Sequence, residues 1–169
     1  MTPRSTTPDV PPMARLAAIA SGLAQSLALE PYELAGEGAR SYARLLSTDL
    51  YEAWLIVWSH AADLELHDHG GSIGAFHVAS GSLVEEYTDL DTVAPLQTLA
   101  LEPGTTREVP LLRVHRVFNP GPATAVSVHV YSPPLRSMTF YETSRGLLAP
   151  ARTELVGEDS PEPLAVPGQ

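Results

Sequence analysis

An all-β fold, a small sandwich or barrel behind one short helix, is predicted by three features of the sequence. From residue 42 onward short apolar runs recur between turn residues. Residues 13 to 28 carry apolar side chains at helical spacing. Residues 124 to 131 alternate valines with polar groups. A chain of 169 residues has room for one packed core, so a single domain is expected.

Residues 1 to 12 are rich in proline and short polar residues, as are residues 157 to 169. Neither stretch can bury much apolar surface, and both read as disordered tails around a domain at 13 to 156. Pro11-Pro12 stands where helices start, and Leu16, Ile19, Ala20, Leu23 and Leu27 then repeat at the period of an amphipathic helix. A secretory signal is the rival reading, since the segment is alanine-rich and follows Arg4 and Arg15. Ser21, Gln25 and Ser26 interrupt its apolar stretch. Candidate strands follow at 41–46, 52–60, 73–80, 82–87, 96–101, 106–109, 112–118, 124–132 and 137–142. Gly70-Gly71, Gly81, Pro103-Gly104 and Pro120-Gly121-Pro122 break them apart. Short strands at such regular spacing imply a sandwich or barrel.

Twenty acidic residues against ten arginines, with no lysine, give a net charge of −10. That leaves no basic footprint for nucleic acid or an anionic membrane, and no apolar run has the length of a membrane span. The absence of cysteine means no disulfide framework, which suits a reducing compartment and a cytoplasmic location. A monomer is the default expectation.

His67 and His69 flank Asp68 ahead of Gly70-Gly71. On an extended chain their side chains point to the same side, roughly 7 Å apart, within reach of one metal ion. The next histidine in a strand-like setting is His115. Three imidazoles without a thiolate favour a first-row divalent metal over a thiolate zinc site or an iron–sulfur cluster. His60, at the end of an apolar strand, and His77, which shares the parity of Ile73 and Ala75, are poorer ligand candidates.

Along residues 125 to 131, Val126, Val128 and Val130 share one face, and Ser127, His129 and Tyr131 share the other. Inside a small barrel the second face sets a hydroxyl, an imidazole and a phenol in line, able to orient and tune the phenol. The same alternation also fits a strand whose polar face meets water.

These residues carry a resemblance. His67-x-His69 followed by Gly74 and Gly81 is similar to the first cupin motif. Pro103-Gly104 followed by His115-x-x-x-Asn119 is similar to the second. Gly74 stands where the usual cupin has a glutamate. With Tyr42-Ala43-Arg44, Trp58 and Val126-Ser127-Val128-His129-Val130-Tyr131-Ser132-Pro133-Pro134, the chain resembles the cysteine dioxygenase family from about Tyr42 to about Tyr141. The resemblance implies a cupin barrel and Fe(II) held by His67, His69 and His115. It implies that Arg44 binds the substrate carboxylate, that Tyr42 and Trp58 line the pocket, and that Ser127, His129 and Tyr131 form an outer relay. It also makes Ser132-Pro133 a candidate cis bond.

The implied reaction adds both atoms of O2 to the sulfur of L-cysteine and gives cysteine sulfinic acid. Three neutral imidazoles fill about half of an octahedral ferrous shell, leaving room for thiolate, amine and O2. Coordination lowers a thiol's pKa, and two-oxygen addition takes it to the sulfinic acid. An arginine fork suits a carboxylate in a way that lysine does not.

There are departures from the family. Animal members have a cysteine at the position of Gly74, linked to the tyrosine that corresponds to Tyr131, and this chain lacks it. Leu45 replaces an asparagine, and Ala61 replaces an expected glycine. Two other readings use the same residues. One is a dioxygenase for a mercapto-acid such as 3-mercaptopropionate, whose relatives carry glutamine at the position of Arg44. The other is a cupin that binds a metal or small ligand without oxidising anything.

Overall fold

The structure, a computed structural model, describes residues 10–27, 36–92, 95–144 and 146–156. The expected tails, apart from residues 10–12, lie outside the described residues. Helix α1 (Met13–Ser26) starts directly after Pro12, whose carbonyl accepts the N–H groups of Arg15 and Leu16. Proline's fixed φ suits this entry. Eleven strands follow among the described residues. They are β1 (Arg40–Ser47), β2 (Glu52–Trp58), β3 (Asp63–His67), β4 (Ile73–Ser80), β5 (Leu83–Asp89) and β6 (Gln97–Leu101). Then come β7 (Thr106–Val109), β8 (Arg113–Phe118), β9 (Ala125–Ser132), β10 (Ser137–Ser144) and β11 (Leu147–Leu155).

Two antiparallel sheets result, with strand orders β1-β2-β9-β4-β7 and β11-β10-β3-β8-β5-β6. Their facing sides enclose one apolar cluster, in which Ile56, Trp58, Phe76, Val78 and Ala125 of the first sheet meet Leu83, Leu101 and Val117 of the second. The outer side of the first sheet packs a second cluster. There Leu16, Ala20 and Ala24, one stripe of α1, lie with Ala53, Leu55, Val57, Val126, Val128 and Val130. β2 and β9 are therefore covered on both sides, which accounts for the unbroken apolar run of β2 and for the burial of all eight β9 residues.

The strand pattern differs from expectation in two places. The run expected over 52–60 ends at Trp58, and after the Ser59–Ala62 turn the chain re-enters the second sheet as β3. β3 reads Asp-Leu-Glu-Leu-His, too short and too charged to stand out by periodicity. β11 is a mostly exposed edge strand that contains Pro150 beside a register shift in its partner, so it lacks an apolar alternation. Two turns near the histidines are sterically defined. Gly70 has φ +53°, and a Cβ there would overlap Ser137. Ala61 takes φ +60° at the position where the resemblance expects glycine. Its N–H donates to Asn119 O, and the Asn119 amide donates to the carbonyls of Trp58 and Ala123. The Ser132-Pro133 bond is cis.

Candidate metal centre

His67 closes β3 and sits opposite His115 of β8 in register, with ring centroids 4.7 Å apart. His69 lies just past β3, its ring 5.2 Å from that of His67 and 5.0 Å from that of His115. All three are buried, and one ring nitrogen from each lies within 4.8 Å of the others. Asp68 between them holds the segment. Its Oδ1 accepts the N–H groups of Gly70 and Thr139, and its Oδ2 accepts the Tyr141 hydroxyl. His60 is exposed and bonded to Gly121 O, and His77 is bonded to the Thr106 hydroxyl, so neither joins the cluster.

Hydrogen bonds set the tautomers. His67 Nδ1 donates to Glu65 O at 2.7 Å, and His115 Nδ1 donates to the Glu85 carboxylate at 2.8 Å. Each imidazole then keeps its Nε2 lone pair for a ligand. The Nε2 atoms of His115 and His69 lie 3.2 Å apart. Burial, reinforced by the neighbouring histidines, drives the pKa values of His67 and His69 well below the ordinary imidazole range. Three imidazole nitrogens converging on one point fit a divalent first-row metal.

Glu85 is fully buried, and its second oxygen accepts from Arg107 Nε at 2.8 Å. Burial alone pushes its carboxyl up, but the bonds from His115 and Arg107 outweigh that and hold the pKa below the ordinary value. A buried carboxylate thus anchors the His115 ring from behind. Glu85→Ala is expected to weaken metal binding about ten- to a hundred-fold, measured by competition against a chelator. An unchanged affinity contradicts the role assigned to it.

A second array lies on the inner face of β9. Trp58 Nε1 donates to Ser127 Oγ at 2.9 Å, Ser127 Oγ lies 2.8 Å from His129 Nε2, and His129 Nδ1 lies 3.3 Å from the Tyr131 hydroxyl. The indole donates and never accepts, which leaves the Ser127 proton free for His129 Nε2. Ser127 accepts from Trp58 and gives its own proton to His129 Nε2. His129 then carries its proton on Nδ1 and donates to the Tyr131 oxygen. The Tyr131 O–H is left free to donate outward. Burial, with smaller effects from His115 and Arg40, lowers the His129 pKa to about 3, and Phe76 stacks on its ring at 4.9 Å. Burial, then the Glu52 charge, pushes the Tyr131 phenol well up, so it stays protonated. The Tyr131 ring meets that of His69 edge-on at 4.8 Å. The relay therefore abuts the histidine cluster, and Ser127 is 0% exposed, which removes the alternative of a polar face in water.

Tyr42 is half-buried on β1, paired in register with Ile56, which is itself paired with Ser127. Trp58 is wholly buried and belongs to the relay through its indole N–H. Gly74 pairs with Tyr131, and a Cβ built on it would lie 3.1 Å from the Tyr131 ring. Arg44 is exposed, its guanidinium 5.6 Å from the Trp54 ring centroid, and it forms no ion pair with a described residue. Sequence reasoning missed Glu85 and Asp68. Asp68 had a signal, an acid between two histidines, whereas Glu85 reads as one of a pair of surface acids, Glu85-Glu86.

Fold and site together define a metal-binding cupin with a three-histidine centre. The family model of cysteine dioxygenase type I matches residues 36–144. The chain belongs to that family, one of metal-dependent dioxygenases. Solved structures agree on the fold. The protein TT1209 from Thermus thermophilus is similar at 17% identity and TM-score 0.51, over 60% of this chain and 90% of that one. An oxalate oxidase in complex with the substrate analogue glycolate is similar at 16% identity and TM-score 0.55, over 82% of this chain and 68% of that one. Among the described residues no helix is long and apolar enough to cross a membrane.

Proposed function

We propose that the chain is a non-haem iron thiol dioxygenase that adds both atoms of O2 to the sulfur of L-cysteine, giving cysteine sulfinic acid. The observation that carries this reading is the contact between a carboxylate-free three-histidine cluster and a buried relay that ends in a protonated tyrosine. His67, His69 and His115 would hold the iron. Ferrous iron, when bound, supplies neighbouring positions for a thiolate sulfur and O2, so that the two reactants meet already oriented. An all-imidazole set adds no negative charge and so favours an anionic thiolate over a neutral ligand.

The chain's own groups do the rest. Ser127 and His129 orient Tyr131, whose O–H donates to an oxygen of the substrate or of O2 and retains its proton. Phe76, Trp58 and the apolar interior exclude water from this end of the barrel. The resemblance assigns the substrate carboxylate to Arg44, but Arg40 shares its row on β1.

Tyr131→Phe is expected to leave iron content within about two-fold of wild type while lowering kcat roughly ten- to a hundred-fold, the range for one hydrogen-bond donor made to a charged group. Loss of the metal in that variant contradicts its placement outside the ligand set. The substrate test is a screen of oxygen uptake by the iron-loaded protein with L-cysteine, cysteamine and 3-mercaptopropionate. Cysteine is expected to give the highest kcat/KM. A preference for 3-mercaptopropionate transfers the assignment to that acid, and no uptake with any thiol leaves a metal-binding cupin without this chemistry.

A further inference from the structure

The three-histidine cluster contains no carboxylate, yet one stands a single imidazole away from it. His67 Nδ1 is bonded to a neutral backbone carbonyl, that of Glu65, and His115 Nδ1 to the Glu85 side chain. Among the described residues His115 is the one cluster ring bonded to an acid. A full negative charge at Glu85 would strengthen the ring as a donor and favour a more positive metal ion. Much of the charge that an all-histidine set leaves out would then return through His115.

Arg107 stands against that charge. Its Nε donates to one Glu85 oxygen at 2.8 Å, while the other oxygen accepts from His115. The pair bridges the two sheets where no backbone pairing joins them. Arg107 belongs to β7, the edge of the first sheet, in register opposite Phe76, and Glu85 belongs to β5 of the second, opposite Val117. The Phe76 ring lies 6.0 Å from that of His115, so Arg107 enters on the face that carries the site. Its guanidinium is seated 5.1 Å from the Tyr87 ring centroid, and its side chain is 23% exposed against 0% for Glu85. The acids paired with Arg113, Arg116 and Arg152 are all 26% exposed or more, and water screens such pairs. Nothing but a partner can offset the charge of Glu85.

We infer that Arg107 is a positioning residue of the metal centre: by cancelling the charge of Glu85 it lets that carboxylate orient His115 without strengthening the ring as a donor, and so favours ferrous over ferric iron. The inference rests on the iron reading of the site and deepens it, since the proposed reaction starts from the ferrous ion. Arg107 is the partly exposed end of a line that runs inward through Glu85 and His115.

The test is an anaerobic redox titration of the iron-loaded protein without substrate, so that no turnover is needed. Arg107→Gln keeps a donor for Glu85 and loses the charge. It is expected to shift the ratio of ferric to ferrous binding about ten-fold toward ferric, a fall of about 59 mV in potential. Arg107→Lys, which restores the charge, is expected to stay within about two-fold of the wild-type ratio. Glu85→Gln keeps an acceptor for His115 and carries no charge. In that background Arg107→Gln is expected to move the ratio by less than about two-fold. Urea midpoints are measured beside each potential. A lower midpoint in Arg107→Gln with the potential unchanged means a structural ion pair only and overturns the inference, as does an equal fall in potential with Glu85→Gln present. Should Arg107→Gln take up no iron, the double variant, which has no lone buried charge, is expected to take it up again, and its failure to do so overturns the inference. If wild type takes up no iron, the iron reading falls and takes this inference with it. If wild type holds iron and Arg107→Gln keeps its potential, this inference falls alone.

Discussion

Replacing His69 by alanine is expected to strip the protein of more than about nine-tenths of its iron and to abolish turnover, with little change in fold. Three nitrogen donors define the site, and losing one leaves two, with an opening that water fills. The cost exceeds the roughly ten- to hundred-fold typical of a group that merely orients a ligand. His69 is the cleanest of the three to remove. Loss of His115 would leave the buried Glu85 carboxylate held by Arg107 alone, and loss of His67 would free Glu65 O. Those two variants are therefore expected to lose stability as well as metal. Metal analysis beside a urea titration separates the effects. Full iron occupancy in His69→Ala means that the cluster is not the metal centre.

Acidification is the second large effect. His67, His69 and His129 are buried with their pKa values lowered, that of His129 to about 3. In the unfolded chain each takes up a proton as the pH falls through about 6.5, whereas in the folded chain it does not. The unfolded state then binds more protons than the folded one, so stability is full above about pH 6.5 and falls as the pH drops below it. Each such histidine contributes a slope on the order of 1 kcal/mol per pH unit. Between about pH 7.5 and 5.5 the three together are expected to remove several kcal/mol, a large share of a typical domain's stability. Bound metal acts in the same direction, because its ligands must be neutral. Urea midpoints of the metal-free protein at the two pH values measure the loss. A flat profile means that these imidazoles are not held neutral by the fold.

The parts of this site that announced themselves in the sequence are those whose chemistry repeats at strand period. Ser127, His129 and Tyr131 alternate with three valines, and that alternation became a two-faced strand with α1 on one side and the relay on the other. His67-x-His69 pointed to two members of the histidine cluster, and His115 followed as the next histidine in a strand. What was hidden depends on register between distant strands. Glu85 meets His115 because β5 pairs with β8, and nothing within the run Leu83–Asp89 shows which of its acids points inward. Trp58 reads in the sequence as a pocket wall, and only the fold shows its N–H donating to Ser127 at the head of the relay. β3 and β11 were missed because a charged five-residue strand and an exposed proline-bearing edge give no apolar period.

The proposed reaction uses the three-histidine centre to place both atoms of O2 on a thiol sulfur. Turnover of L-cysteine by the iron-loaded protein under 18O2, with the product analysed by mass spectrometry, tests it most directly. Cysteine sulfinic acid carrying two heavy oxygen atoms, formed one for one with O2 consumed, is the result expected. A disulfide as the main product, or a sulfinate carrying one heavy oxygen atom or none, contradicts it.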